Sequence, residues 1–212
     1  MFLSIDFEDY YYNLSRTLKL NNSALLKVDA LYKKYEKINN FLKQNSKGEG
    51  TKITFFCTGV IAKKAPDLIH QIASDGHEIA CHYYYHDLVS KEKSNTLRKM
   101  LWKARESLEN ASGKNVRGFR APCFAINKSN PIQYKIIEEV FDYDSSFNCS
   151  SLNNLKTFQD KMELTHLKLF PLYQNNIFGK ALRLGGSYLR IFPYIYAKML
   201  VKNAKKAGFS PH

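Results

Sequence analysis

The sequence predicts an α/β fold built on a parallel sheet, and three observations lead there. Short apolar runs of strand character alternate with longer segments of helical periodicity from the first residues onward. The helix-opening Pro66 and Pro131 and the helix-stopping Gly76 and Gly113 fall at the boundaries of those segments. Chemically active residues gather just after apolar runs, at what would be the C-terminal ends of strands, the rim where parallel α/β sheets bind ligands.

The first strand is Phe2 to Asp6, apolar with an acidic end. Val28, Leu31, Tyr35, Ile38 and Leu42 recur at helical spacing, and a polar loop from Asn45 to Gly50 ends that helix. Lys52 to Cys57 reads as the second strand. Pro66 opens a helix with Leu68, Ile69 and Ile72 on its apolar face, and His77 to Cys81 follows as the third strand. Leu97, Leu101, Ala104, Leu108 and Ala111 mark a longer helix. Val116 to Ala121 is the fourth strand. Pro131 opens a helix through Ile132, Ile136 and Val140, and the chain extends again at Phe141 to Ser145. Leu164 to Leu172 is a further strand, and Pro193 to Ala207 a terminal helix. No repeat or linker divides the chain, so one domain over 1–212 is expected.

A chain of 212 residues, 44% hydrophobic and 14% aromatic, can bury a substantial core and is far from a disordered composition. No stretch approaches the roughly 20 apolar residues that span a bilayer. The opening residues carry neither a basic region nor a cleavage site, which argues against a signal peptide and makes the cytoplasm the expected location. Cys57, Cys81, Cys123 and Cys149 are scattered without metal or disulfide spacing and read as reduced, mostly buried residues. The net charge of +13 comes from dispersed lysines without a groove-reading motif, so nucleic acid is not an expected partner. A membrane contact through Leu189 to Val201 is conceivable but not indicated, because that segment reads more easily as a packed helix.

Three clusters carry chemistry. Asp6, Glu8 and Asp9 place three carboxylates within four residues, a crowding that a cation or a shared proton would relieve. His82 and His86 follow the third strand four residues apart, so that on a helical turn both imidazoles would reach one ion. Two neutral histidines and one carboxylate leave coordination positions open, as a catalytic site requires. Arg120 ends the fourth strand and is placed to hold a carboxylate through a bidentate contact, with Pro122 stiffening the turn that follows.

Together these residues resemble the NodB-like polysaccharide deacetylases of carbohydrate esterase family 4. Ser4-Ile5-Asp6-Phe7-Glu8-Asp9-Tyr10 is similar to the first family motif, in the Asp-x-Glu-Asp form of an exopolysaccharide-associated branch. Thr54-Phe55-Phe56 through Gly59, then Gly76-His77-Glu78-Ile79-Ala80-Cys81-His82 with His86, resembles the second motif and its approach. Arg120-Ala121-Pro122 resembles the third and Tyr143-Asp144-Ser145-Ser146 the fourth. Gly185-Gly186-Ser187-Tyr188-Leu189-Arg190 with Pro193-Tyr194 resembles a glycine-rich stretch before the last motif.

The resemblance implies a distorted (β/α)7 barrel and a divalent metal, most often zinc. It implies Asp6 as general base, His82 and His86 as metal ligands, Arg120 as the group that orients Asp6, and Asp144 in the same polar network. Phe7 stands where the usual motif has a second aspartate, so the third ligand is Asp9 or Glu8. Glu8 shares the strand face of Asp6 by period-two geometry. A backbone N–H near Cys123 would hold the oxyanion, and Tyr10, Pro122, Cys123 and Tyr188 would line the substrate. The implied substrate is an N-acetylated polysaccharide or oligosaccharide, deacetylated in exopolysaccharide or cell-surface glycan biosynthesis. The alternatives are an impaired, glycan-binding homologue and a metal-independent cyclic amide hydrolase, the latter disfavoured by the two histidines. The family's last motif supplies a histidine that protonates the leaving amine. Residues 208–212 offer only His212 in the wrong context, so the domain is expected to lack its last strand and motif.

Overall fold

The structure, a computed structural model, describes residues 3–20, 25–46, 50–129, 131–177, 180–183, 185 and 193–209. Strand β1 (Ser4–Phe7) leads into helix α1 (Tyr10–Thr17) and then α2 (Val28–Gln44). Strand β2 (Thr54–Cys57) is followed by α3 (Gly59–Lys64) and α4 (Pro66–Ser74), and β3 (Glu78–Cys81) by α5 (Ser94–Ser112). Then come β4 (Gly118–Phe119), α6 (Pro131–Glu138), β5 (Tyr143–Asp144), β6 (Asn148–Cys149) and α7 (Leu152–Lys161). Strands β7 (Lys168–Leu169), β8 (Leu172–Ile177) and β9 (Lys180–Arg183) precede the last helix, α8 (Tyr194–Lys206).

The α/β fold with a parallel sheet is as the sequence predicts. Six strands pair in the order β1-β2-β3-β4-β5-β7, and every pairing in that sheet is parallel. Parallel neighbours require crossover connections, which the intervening helices supply. Ile5, Phe55 and Ile79 stand side by side in register, as do Phe7, Cys57 and Cys81. Phe55, Phe56 and Cys57 are all buried, as expected of a strand covered on both faces. The sheet curves, for Ser4, Thr54, Glu78, Arg120, Tyr143 and Lys168, drawn from all six strands or their ends, line one cavity of about 500 Å³. Among the described residues this sheet has six strands where seven barrel strands were expected, and β1 and β7 are not paired to each other. β6, β8 and β9 form a separate small sheet, with β6 and β8 parallel and β8 and β9 antiparallel.

Sequence periodicity misses α1, α3, α7, β6 and the β8–β9 hairpin. α1 begins in the carboxylate cluster, where Asp9 acts as its N-cap by accepting the Tyr12 backbone N–H. α3 starts at Gly59, where a Cβ would lie 2.6 Å from Tyr84 Cδ2 and 3.0 Å from Ala104 Cα, so only glycine lets α3 approach α5 so closely. Gly118 leaves the space that the Tyr143 ring fills, and the Tyr143 hydroxyl donates to Glu78 at 2.9 Å. Cys57, Cys81 and Cys149 are buried and Cys123 is exposed, and all four are free thiols. His77 is buried against Phe55 and Tyr35, as a core residue. Among the described residues no helix is long and apolar enough to cross a membrane.

Candidate metal centre

β1, β3 and β4 all end at the same rim of the sheet, and their ends carry the candidate side chains. A carboxylate oxygen of Glu8 and one ring nitrogen each of His82 and His86 lie within 4.8 Å of one another. Glu8 Oε2 is 2.7 Å from His86 Nε2. The His82 and His86 rings have centroids 5.1 Å apart and meet edge to face.

The two imidazoles converge, but not on a helical turn as the spacing suggests. Residues 82–86 form a bent loop in which Tyr83 (φ 63°) and His86 (φ 68°) adopt left-handed backbone conformations. α3 holds this loop from below. The first N–H groups of a helix have no partner within it, and here Gly59 and Val60 donate to the carbonyls of Tyr83 and Tyr84 at 2.9 and 3.0 Å.

The His82 ring is held in one orientation by a hydrogen bond. Its Nδ1 lies 2.7 Å from the Arg120 carbonyl oxygen, which can only accept, so Nδ1 carries the proton and Nε2 presents its lone pair. Burial pushes the imidazole pKa down despite the neighbouring Asp6 carboxylate, so the ring is neutral at pH 7. The donor set therefore fits a divalent cation: two imidazoles and a carboxylate with positions left for other ligands.

Asp6 stands beside this group. Arg120 Nη1 donates to Asp6 Oδ1 at 2.8 Å. The contact is single and not the bidentate one expected, because Nη2 is directed instead to the hydroxyls of Ser4 and Ser145, at 3.0 and 2.9 Å. Nε donates to the Ser145 carbonyl, and the guanidinium lies 3.9 Å over the Phe56 ring. Burial alone would raise the Asp6 carboxyl, but the neighbouring His82, when it is protonated in acid, and the permanent charge of Arg120 outweigh it and hold its pKa below the usual value. The carboxylate is therefore ionised at neutral pH.

Asp144 is fully buried and touches this network only through its neighbours. Its oxygens accept the Ser146 backbone N–H at 2.9 Å and the Ser146 hydroxyl at 2.5 Å, while Ser146 Oγ accepts the Ala121 N–H at 2.7 Å. Burial raises its pKa to about 6, against the lowering effect of the Ser146 bonds. The roles of Ser145 and Ser146 escaped the sequence reading, although both adjoin Asp144 in its motif.

Asp9 is not brought to the imidazoles. Its oxygens accept backbone N–H groups, from Tyr12 at 3.2 Å and Lys27 at 3.0 Å. Of the two carboxylates left open by the sequence, Glu8 joins the cluster. Pro122 and Cys123 lie in a single 3-10 turn directly after Arg120, with Cys123 turned to φ 55°. Partial desolvation, followed by the Glu8 and Asp6 carboxylates, raises the thiol pKa of the largely exposed Cys123. Tyr10 opens α1 with its side chain exposed. Tyr188 and His212 lie outside the described residues.

Fold and site together define an α/β protein with a candidate metal centre of two histidines and one carboxylate on the C-terminal rim of its parallel sheet. The chain belongs to the polysaccharide deacetylase family, whose sequence profile matches residues 20–134. A peptidoglycan-N-acetylglucosamine deacetylase of Bacillus cereus is 34% identical over 86 residues, which are 41% of this chain and 30% of that protein. A solved polysaccharide deacetylase-type structure from Mycobacterium smegmatis superposes with a TM-score of 0.53 at 22% identity, covering 81% of this chain and 57% of that one. A variant of a family 4 pseudoenzyme from Bacillus anthracis gives a TM-score of 0.50 at 16% identity, over 97% of this chain and 62% of that one. These likenesses show the fold, and the curated match extends over about a third of that relative's length.

Proposed function

We propose that this chain is the deacetylase domain, or the greater part of one, of an enzyme that hydrolyses N-acetyl groups from N-acetylhexosamine residues of a polysaccharide with the aid of a zinc ion. The observation that carries the reading is the meeting of Glu8, His82 and His86 donor atoms within 4.8 Å of one another beside the Arg120-held Asp6. Family membership supports an acetylated carbohydrate as substrate. A role in exopolysaccharide or cell-surface glycan biosynthesis fits the Asp-x-Glu-Asp form of residues 6–9.

Glu8, His82 and His86 would hold the ion, which supplies Lewis-acid activation of the amide carbonyl and of water when bound. Asp6 accepts the proton of the attacking water. It is suited to this because it is ionised, and Arg120 fixes one of its oxygens while the other remains available. Arg120 itself is locked by Ser4, Ser145 and Phe56, so the base has little freedom to rotate away. The turn at Cys123 follows Arg120 directly in the chain, and a backbone N–H there would receive the developing oxyanion.

Zinc content and acetate release from an N-acetylglucosamine oligomer test the reading together. About one equivalent of zinc with acetate release, abolished in Asp6→Asn, is expected. Zinc binding with glycan affinity but without turnover would instead identify a binding homologue. A chain that takes up neither ion nor substrate would end the proposal.

A further inference from the structure

Asn13 belongs to no motif, yet it is buried and its Nδ2 donates to Glu8 Oε2 at 2.5 Å. That same oxygen lies 2.7 Å from His86 Nε2, and the Glu8 side chain keeps 24% of its surface in solvent. A half-buried glutamate with three torsions has room to swing outward. The amide of Asn13 is the contact that keeps it turned toward the imidazoles.

The helix carrying Asn13 is itself anchored at its start. Asp9 caps α1 through Tyr12 and ties it to the 25–27 segment through the Lys27 N–H. One turn beyond Asn13, on the same helical face, Arg16 donates to both oxygens of Asp87 at 3.0 Å and lies 4.0 Å over the Tyr85 ring. Tyr85 and Asp87 flank His86. The left-handed backbone of Tyr83 and His86 needs surrounding contacts that over-determine it, and α1 supplies two of them from outside while α3 supplies two from below.

We propose that α1 is a positioning helix for the metal centre, with Asn13 fixing the Glu8 carboxylate and the Arg16–Asp87 pair fixing the loop that bears His86. The inference rests on the metal-dependent reading above and extends it to residues that touch neither ion nor substrate. A neutral amide suits this place. It orients the carboxylate and leaves its negative charge for the cation, whereas a lysine there would compete with the ion.

A double-mutant cycle on zinc affinity, read by chelator competition, tests it. Asn13→Leu removes the donor and keeps most of the volume, and Asn13→Ala serves as a second variant. Metal-free thermal unfolding shows that each is folded. Asn13→Leu should weaken zinc binding by about 10- to 100-fold, the range typical for outer hydrogen-bond partners of metal ligands. In a Glu8→Ala background the same substitution should change affinity by less than about twofold, because Asn13 acts through Glu8. Unchanged affinity in folded Asn13 variants, or an equal loss in both backgrounds, would overturn the inference and leave the proposed function standing. A wild-type chain that binds no zinc would overturn both.

Discussion

The imidazole of His82 and the backbone carbonyl of Arg120, 38 residues apart in sequence, meet at 2.7 Å. This bond joins the two strand ends that carry the candidate ligand and the group holding the candidate base. It fixes the tautomer of His82, and it places Arg120 so that the guanidinium reaches back to Asp6 on β1.

Replacing His82 should therefore do more than remove a ligand. His82→Ala is expected to lower zinc affinity beyond the roughly 10- to 100-fold that loss of an outer partner brings. Acetate release should fall with it. Zinc titration followed through imidazole 15N shifts in the wild type should move His82 Nε2 and leave Nδ1 protonated.

Arg120→Ala removes the positive charge that opposes the effect of burial on Asp6. The Asp6 pKa should rise, and the acidic limb of the kcat/KM profile should move to higher pH. Breaking a buried ion pair typically costs 3–5 kcal/mol, and about 3 kcal/mol is expected here because Asp6 stays 30% exposed. Arg120→Lys should recover part of the stability and, because its ammonium keeps a positive charge near Asp6, part of the profile, but not all of either, since one ammonium cannot reach Asp6, Ser4 and Ser145 at once.

Away from the site, Glu138 at the end of α6 gathers the segment that leads into β7. Its carboxylate accepts the backbone N–H groups of Thr165, His166 and Leu167 at 2.7, 2.8 and 3.0 Å. Burial would raise its pKa, but these donors and Lys135 outweigh that and lower it from 4.5 to about 2. A folded-state pKa below the unfolded one means that the stabilisation is complete above pH 4.5 and fades as pH falls toward 2. At pH 7 it is worth about 3 kcal/mol by linkage, and less than half of that at about pH 3. Urea unfolding of Glu138→Gln should show a deficit of this order at pH 7 that shrinks in acid.

Gly59→Ala tests the support beneath the histidine loop. The new methyl would meet Tyr84 at 2.6 Å and the Ala104 backbone at 3.0 Å, and the backbone side cannot yield easily. A loss of about 1–3 kcal/mol is expected from overpacking. Because Gly59 and Val60 hold the carbonyls of Tyr83 and Tyr84, zinc affinity should fall as well, measured by the same chelator competition.

Much of the framework was legible in the sequence. The runs at 52–57 and 77–81 became β2 and β3, the periodic faces became α2, α4, α5, α6 and α8, and Pro66 and Gly113 mark boundaries where expected. The short helices were not legible. α3 has six residues, too few for a periodic face to stand out, and α1 hides its N-cap inside what looks like a ligand cluster. The spacing of His82 and His86 led to the right convergence for a wrong reason, since the loop reaches it through left-handed residues and not a helical turn.

The sequence alone determined which kinds of side chain stand at each strand end, because strand patterning and ligand type are written into short windows of residues. Only the tertiary structure places Glu8, and not Asp9, beside the two imidazoles. Both are carboxylates of adjacent residues, and what separates them is that the Tyr12 and Lys27 N–H groups engage Asp9 while Asn13 turns Glu8 toward His86. The same holds for the candidate base, Asp6, whose pKa is held below its ordinary value in part by an arginine 114 residues away in the chain and 2.8 Å away in space. Local propensity cannot encode a field that exists only once distant strands lie side by side.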